Sequence, residues 1–161
     1  FNRTTVYEDV KAFQYAFQFA NIQWIKKIET SEMRPGFLKY FEIALKNYKK
    51  RKGWIFSHVG NIPNPDVIVI IADFFLRVED VNWSIISGKY GKKLIVIFRS
   101  FGNKRNAGKV AQKSFGDLGS AGGHKSAARA EFPITNIDSK IDYQINDQVS
   151  NWIISQIQKK R

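Results

Sequence analysis

Cysteine is absent from this 161-residue chain, which excludes disulfide staples and thiolate metal sites. Histidine is almost absent: only His58 and His124 occur, and they are not adjacent. Around His58 there is no second histidine and no carboxylate cluster at ligand spacing, so His58 reads as a structural residue rather than a metal ligand. No apolar run approaches the roughly 20 residues of a membrane span, so no membrane partner is expected. No secretory leader is recognisable, and a cytoplasmic setting is the default expectation. The chain opens on Phe1 rather than Met, and a piece of a longer protein is expected. Internal repeats and low-complexity segments are lacking too.

Acidic residues are scarce: 14 stand against 26 Lys and Arg, for a net charge of +12. The excess is concentrated. From Lys89 to Arg129 there are ten basic residues and one acid, Asp117, which accounts for nine of the twelve net charges. Clustered cations raise the local concentration of anions and suit a phosphate-rich partner; a solvated basic face would have the same composition. With 43% apolar and 14% aromatic residues, the chain has the material for one packed domain with an appendage.

Val6, Val10, Phe13 and Phe17 recur at helical spacing, with Thr4 or Thr5 placed to cap, and predict a helix over 4–18. A shorter helix is expected over 21–29. Another is expected over 36–50, with Leu38, Phe41, Leu45 and Tyr48 on its inner side and the run Lys49–Lys52 at its C-terminal dipole. Residues 54–59 read as a strand. Asn64-Pro65-Asp66 starts a buried helix through Val78, despite the β-branched run Val67–Ile71. Residues 82–88 and 93–100 read as paired strands around a Gly-containing turn, which puts Arg99 at a strand end. Asn106 caps a helix whose inner residues are Ala107, Val110, Ala111 and Phe115, and Gly116 is placed as its C′ residue. A strand over 129–134 and a final helix over 142–160 follow, the latter with Ile145, Val149, Trp152, Ile153 and Ile157 inward.

The stretch Asp117–Pro133, DLGSAGGHKSAARAEFP, combines several unusual choices. Gly119, Gly122 and Gly123 remove side chains around His124, and Ala121, Ala127 and Ala128 keep the surroundings small. Glycines permit close backbone approach, so consecutive amides are expected to line a concavity for an anion, with His124 at its rim. Ala121-Gly122-Gly123-His124-Lys125-Ser126-Ala127-Ala128-Arg129 resembles the GGH signature of the C-terminal DHH-associated domain in the DHH phosphoesterase superfamily. The usual pattern is roughly G-G-G-H-x-x-A-A-G. This chain departs from it with alanine first and arginine last. The resemblance extends in order through a helical connector, the segment ADFFLRVEDVNWSIISG, a strand ending in Phe98-Arg99-Ser100, and the helix over 107–116. It is strongest from Ala72 to Pro133.

This resemblance implies an α/β fold, a mixed β-sheet with flanking helices preceded by a helical connector. Residues 1–52 would be the connector, the tail of an N-terminal catalytic lobe, and 53–161 the substrate-binding domain. It implies a hydrolase family whose members include RecJ-type exonucleases, nanoRNase and pAp phosphatases, cyclic-dinucleotide phosphodiesterases and some exopolyphosphatases. In these, two Mn2+ ions in the N-terminal DHH lobe activate water for attack on phosphorus. With two non-adjacent histidines this chain lacks that lobe, so it is expected to bind no metal, to carry no catalytic residue and to be inactive alone. The implied partners are its own DHH lobe and a nucleotide, short RNA or single-stranded nucleic acid.

Carried over by position, Arg99 and His124 would bind substrate phosphate, with Ser100, Gly122 and Gly123 as secondary donors and Lys125 and Arg105 adding positive charge, as would Lys104 and Lys109. The guanidinium fork of Arg99 suits bidentate phosphate contact. The quieter alternatives pair Arg99 with Asp117 or Glu131 and His124 with a carbonyl. Arg129 faces either the pocket or a structural acid. At the level of the whole chain, the alternative is a nucleic-acid-binding or regulatory module, like the similar domain attached to alanyl-tRNA synthetase.

Overall fold

The computed structural model describes residues 5–25, 33–101 and 106–159. The chain divides into two compact units, 1–37 and 38–161. Among the described residues no helix is long and apolar enough to cross a membrane.

In the first unit, helix α1 spans Tyr7–Phe17. The cap is Val6, not a threonine: its backbone amide donates to the Asp9 carboxylate at 3.0 Å, so an acid in the first turn ties the helix back to its cap residue. No residue of α1 is buried. The rings of Phe13 and Phe17 lie 5.3 Å apart and those of Tyr15 and Phe19 5.4 Å apart. The Asn21 side chain then accepts from the amides of Gln23 and Trp24 and starts a helical turn over 22–25. The rest of the helix expected to 29 lies outside the described residues.

The second unit is a six-stranded mixed sheet with helices on both faces. Its strands are β1 (Lys49–Arg51), β2 (Trp54–Asn61), β3 (Trp83–Tyr90), β4 (Lys93–Ser100), β5 (Ser120–Gly123) and β6 (Ala127–Pro133). They lie in the order β1-β2-β3-β4-β6-β5. Only β2 and β3 run parallel, and a parallel pair needs a crossover. Helix α3 (Asp66–Leu76) supplies it, which is why the β-branched run Val67–Ile71 is helix rather than strand. Asn64 turns the chain into that helix by accepting from the Asp66 amide at 3.0 Å.

The expected long helix over 36–50 is shorter. Helix α2 covers Leu38–Asn47, and Lys49–Arg51 form β1 against Trp54–Phe56. Lys52 and Gly53, at φ 47° and 79°, make the tight reversal that hairpins favour. The lysines therefore sit on an exposed sheet edge, where charge discourages further pairing, rather than at a helix dipole. The inner stripe of α2 is also displaced: Tyr40, Phe41 and Ala44 are buried, while Leu38 and Leu45 are exposed.

One face of the sheet, including Phe56, Trp83, Leu94, Val96, Phe98, Ala130 and Phe132, packs against helices α4 (Ala107–Phe115) and α5 (Asn146–Lys159). Phe115 from α4 contacts the rings of Phe98, Phe132 and Trp152. The stacked Trp54 and Trp83 rings, 4.3 Å apart, belong to the same core. Within α5, Val149, Trp152, Ile153 and Ile157 are buried as expected, but Ile145 precedes the helix and is exposed. Gly116 ends α4 with φ −59°, not in the left-handed region; a β-carbon there would come within 2.5 Å of Gln112. Space, not conformation, accounts for that glycine.

Side chains alternate across a strand, so the opposite face carries Ile55, Ile86, Ile95 and Ile97, all buried. Helices α2 and α3 pack over β2, β3 and β4 on that side, with Val67, Ile68, Ile71 and Phe75 of α3 inward.

Candidate functional site

Arg99 sits near the end of β4, opposite Ala127 of β6. Its Nε donates to Asp73 Oδ1 of α3 at 2.7 Å, and its Nη1 reaches the Phe98 carbonyl at 3.3 Å. The arginine side chain is 20% exposed and that of Asp73 48%. Sequence reasoning placed Asp117 or Glu131 beside Arg99 and missed Asp73. The available signal was one acid within the otherwise apolar run Val67–Leu76 that packs over the same strand. The pairing leaves the remaining guanidinium N–H groups for another acceptor and fixes their direction.

Glu131 is engaged elsewhere. It accepts from Lys93 at 2.6 Å and from Arg129 at 2.5 Å. The hydrogen bond from Lys93 above all, with help from Arg129, holds its carboxyl below the usual carboxylate range. Arg129 does both things foreseen for it: it pairs with an acid and lines a hollow with Arg99.

The glycine-histidine run, whose amides were expected to line a concavity, begins as a strand. Ser120–Gly123 is an edge strand paired with β6, Gly122 opposite Arg129 and Gly123 opposite Ala128. Its glycines thus contribute a bare floor. Gly123 has φ 148°, and a β-carbon on it would lie 2.4 Å from the Ala127 carbonyl oxygen. His124 follows, its amide donating to the Ala127 carbonyl at 2.8 Å to close the turn.

Two neighbours fix this turn. From α4, the Gly108 amide donates to the His124 carbonyl and the Ala107 amide to the Lys125 carbonyl, both at 2.9 Å. From β4, the Ser100 amide donates to the Ser126 carbonyl at 2.8 Å and its hydroxyl to the Lys125 carbonyl at 3.0 Å. The next α4 amide, that of Lys109, donates to the Asn106 side chain. The donors at this helix N-terminus are therefore satisfied within the chain, and Ser100, almost completely buried, uses its proton to anchor the turn.

The structure brings Arg99, Gly122 and Gly123 into one hollow of about 320 Å³ with Val69, Ala127 and Arg129. His124 and Lys125 stand in the adjoining turn with exposed side chains. Arg105, with Lys104, lies outside the described residues. Lys109 is exposed on the first turn of α4. Among the described residues no three His, Asp or Glu side chains cluster as a metal site would require, and the two carboxylates nearest the hollow, Asp73 and Glu131, are each paired with a cation. This donor set fits an anion and not a divalent metal.

No family model matches the chain. An uncharacterised protein of Methanocaldococcus jannaschii is 29% identical over 135 residues, a match that covers 83% of this chain and 27% of that protein. An exopolyphosphatase-related protein from Bacteroides fragilis superposes with a TM-score of 0.67 at 16% identity, over 98% of this chain and 44% of its own. The pGpG-specific phosphodiesterase PggH from Vibrio cholerae gives 0.51 at 17% identity, over 99% and 53%. The chain thus spans about a quarter of its curated relative and about half of each of these structures. At such identities the likeness is one of fold, and the fold is the one implied by the resemblance to the C-terminal domain of DHH phosphoesterases.

Proposed function

We propose that this chain is the substrate-binding half of a manganese-dependent DHH phosphoesterase that hydrolyses short oligonucleotides or pAp-like nucleotides, its two Mn2+ ions lying in a separate DHH lobe. The observation that carries this reading is the meeting of Arg99 and the two glycines in one hollow, beside the turn that bears His124. The fold it shares with a pGpG-specific phosphodiesterase is in keeping with this reading. In this role Arg99, steered by Asp73, donates to a phosphate oxygen over the glycine floor, and the His124 imidazole adds a second donor from the turn. The basic residues of 89–129 draw the anion in. The chemistry of water activation belongs to the metals.

The test uses the purified chain and the full-length protein together. The chain alone is expected to bind pAp and short single strands with an affinity that falls as salt rises, because each neutralised phosphate releases counterions. It is expected to show no Mn2+-dependent hydrolysis. The full-length protein is expected to hydrolyse at least one of pAp, oligoRNA or pGpG, and Arg99→Ala or His124→Ala to weaken its substrate binding with the melting temperature kept. Turnover by the chain alone, or melting losses that match the binding losses, would overturn the assignment. The concentrated charge also favours a second reading, a nucleic-acid-binding module without hydrolysis. Salt-sensitive binding together with a full-length protein inert toward all three substrates would select it.

A further inference from the structure

The hollow that contains Arg99 is not isolated. A second one, of about 450 Å³, is lined by Ser120, Ala121, Gly122, Arg129 and Glu131, and the two share Gly122 and Arg129. These two residues face each other in the β5–β6 ladder, so one cross-strand pair forms the saddle between the hollows.

Gly122 is unlike the glycines around it. A β-carbon at Gly108, Gly119 or Gly123 would collide with backbone at 2.2–2.6 Å, whereas at Gly122 it would meet only Gln112 Oε1 at 3.9 Å. The fold does not need a glycine at that point. Its absent side chain leaves room over the saddle, and the side chain across from it is a guanidinium.

The two arginines are held apart. Arg99 is opposite Ala127 and Arg129 is two residues further along β6, which makes them diagonal neighbours on one face, about 7–8 Å apart at the backbone. Each is bonded to a different carboxylate. Arg99 is bound to Asp73 on α3. Arg129 is bound to Glu131, still further along β6, and Lys93 shares that carboxylate, so the group keeps a net positive charge. The two hollows open on either side of the Gly122–Arg129 pair, which gives room for two phosphoryl groups joined through a nucleoside.

We infer that Arg129 is a second anion-binding residue, which holds the next phosphate of a ligand whose first phosphate is at Arg99, with the linking nucleoside passing over Gly122. This rests on the substrate-binding role proposed above and adds to it a specificity for ligands with two successive phosphates.

Calorimetric titration of the full chain at low salt with two probes, AMP and the 5′-phosphorylated dinucleotide pApA, tests it. The parent is expected to bind pApA at least tenfold more tightly than AMP. Arg129→Gln, which removes one of the two cations that line the Arg99 hollow, is expected to weaken AMP slightly and pApA at least tenfold more than AMP, with the melting temperature kept, while Arg99→Gln weakens both ligands alike. Gly122→Leu, which fills the saddle beside Arg129, is expected likewise to weaken pApA more than AMP. If AMP binds through Arg99 but pApA gains nothing, or both substitutions leave pApA binding intact, the second subsite is refuted and the first stands. If neither probe binds the parent chain, the substrate-binding role falls and the subsite with it. An equal loss for AMP and pApA on Arg129→Gln, or a lowered melting temperature that accounts for the loss, makes Arg129 a structural residue and refutes the inference.

Discussion

Gly108→Ala separates the forces that position the His124 turn. Gly108 lies in the first turn of α4, where helix propensity alone favours alanine by about 0.8–1.0 kcal/mol. The site opposes it. A β-carbon built there would lie 2.2 Å from the Gly123 carbonyl oxygen and 2.7 Å from its carbon, and C···O contacts settle at about 3.3 Å or more. The obstruction is backbone on both sides, so no side chain can rotate out of the way. Helix and turn must part by about 1 Å, at an overpacking cost of roughly 1–3 kcal/mol. The same movement stretches the hydrogen bond from the Gly108 amide to the His124 carbonyl, worth about 0.5–1.5 kcal/mol. Against the propensity gain the balance is a destabilisation of roughly 1–3 kcal/mol, or about 4–12 °C in melting temperature for a unit of this size. Scanning calorimetry measures it, and nucleotide titration of the variant is expected to show weakened binding as His124 shifts. A variant that melts at or above the parent temperature would refute this account of how α4 holds the turn.

The remaining predictions concern the adjoining glycines and the buried histidine. Gly123→Ala is expected to destabilise the chain by about 2 kcal/mol or more, since alanine strains at φ 148° and its β-carbon would strike the Ala127 carbonyl, whereas Gly122→Ala is expected to melt near the parent temperature; equal melting points would show the two glycines to be equivalent. His58 is 1% exposed, its Nδ1 is 2.9 Å from Ser87 Oγ, and burial pushes its pKa down to about 4, with Ser87 opposing the shift. The unfolded chain protonates this imidazole near pH 6.5 and the folded chain near 4, so between these values the unfolded state binds more protons. Stability is therefore complete above pH 6.5 and falls as pH drops through the window, by about 3 kcal/mol at pH 4. Urea midpoints measured from pH 7 to 4 are expected to follow that slope in the parent and to lose it in His58→Asn; a flat parent profile would be inconsistent with a neutral buried ring.

The elements most legible in the sequence were those in which local pattern and tertiary need coincide. Asn106 caps α4 through its side chain, and β3 and β4 pair as the Gly91 turn implied. The sequence was less legible where a distant partner decides. Nothing local in Lys49–Arg51 announces a strand, because its stability comes from the register with Trp54–Phe56. The same holds at the site. The position of Arg99 at a strand end could be read, but its carboxylate partner lies 26 residues earlier on α3. The run Gly122-Gly123-His124 announced a special backbone, yet whether it is a loop of free amides or an edge strand depends on β6, and the ladder between them settles for the strand. Arg129 stayed ambiguous because alternation fixes a face only once register is known.

Register also explains why the open surface falls on this part of the sheet. The crossover α3 must return the chain from β2 to the parallel β3, and it lies over β3 and the near side of β4. It reaches Arg99 with the side chain of Asp73 but covers neither β6 nor β5. Those strands are bare on that face because small residues, Gly122, Ala127 and Gly123, face the hollow, while Ala128, Ala130 and Phe132 belong to the core cluster that includes α4 and α5. An uncovered sheet face normally carries polar residues in alternation. Here the alternating positions of β6 carry Arg129 and Glu131 rather than apolar side chains, so the exposure is written into β6 itself.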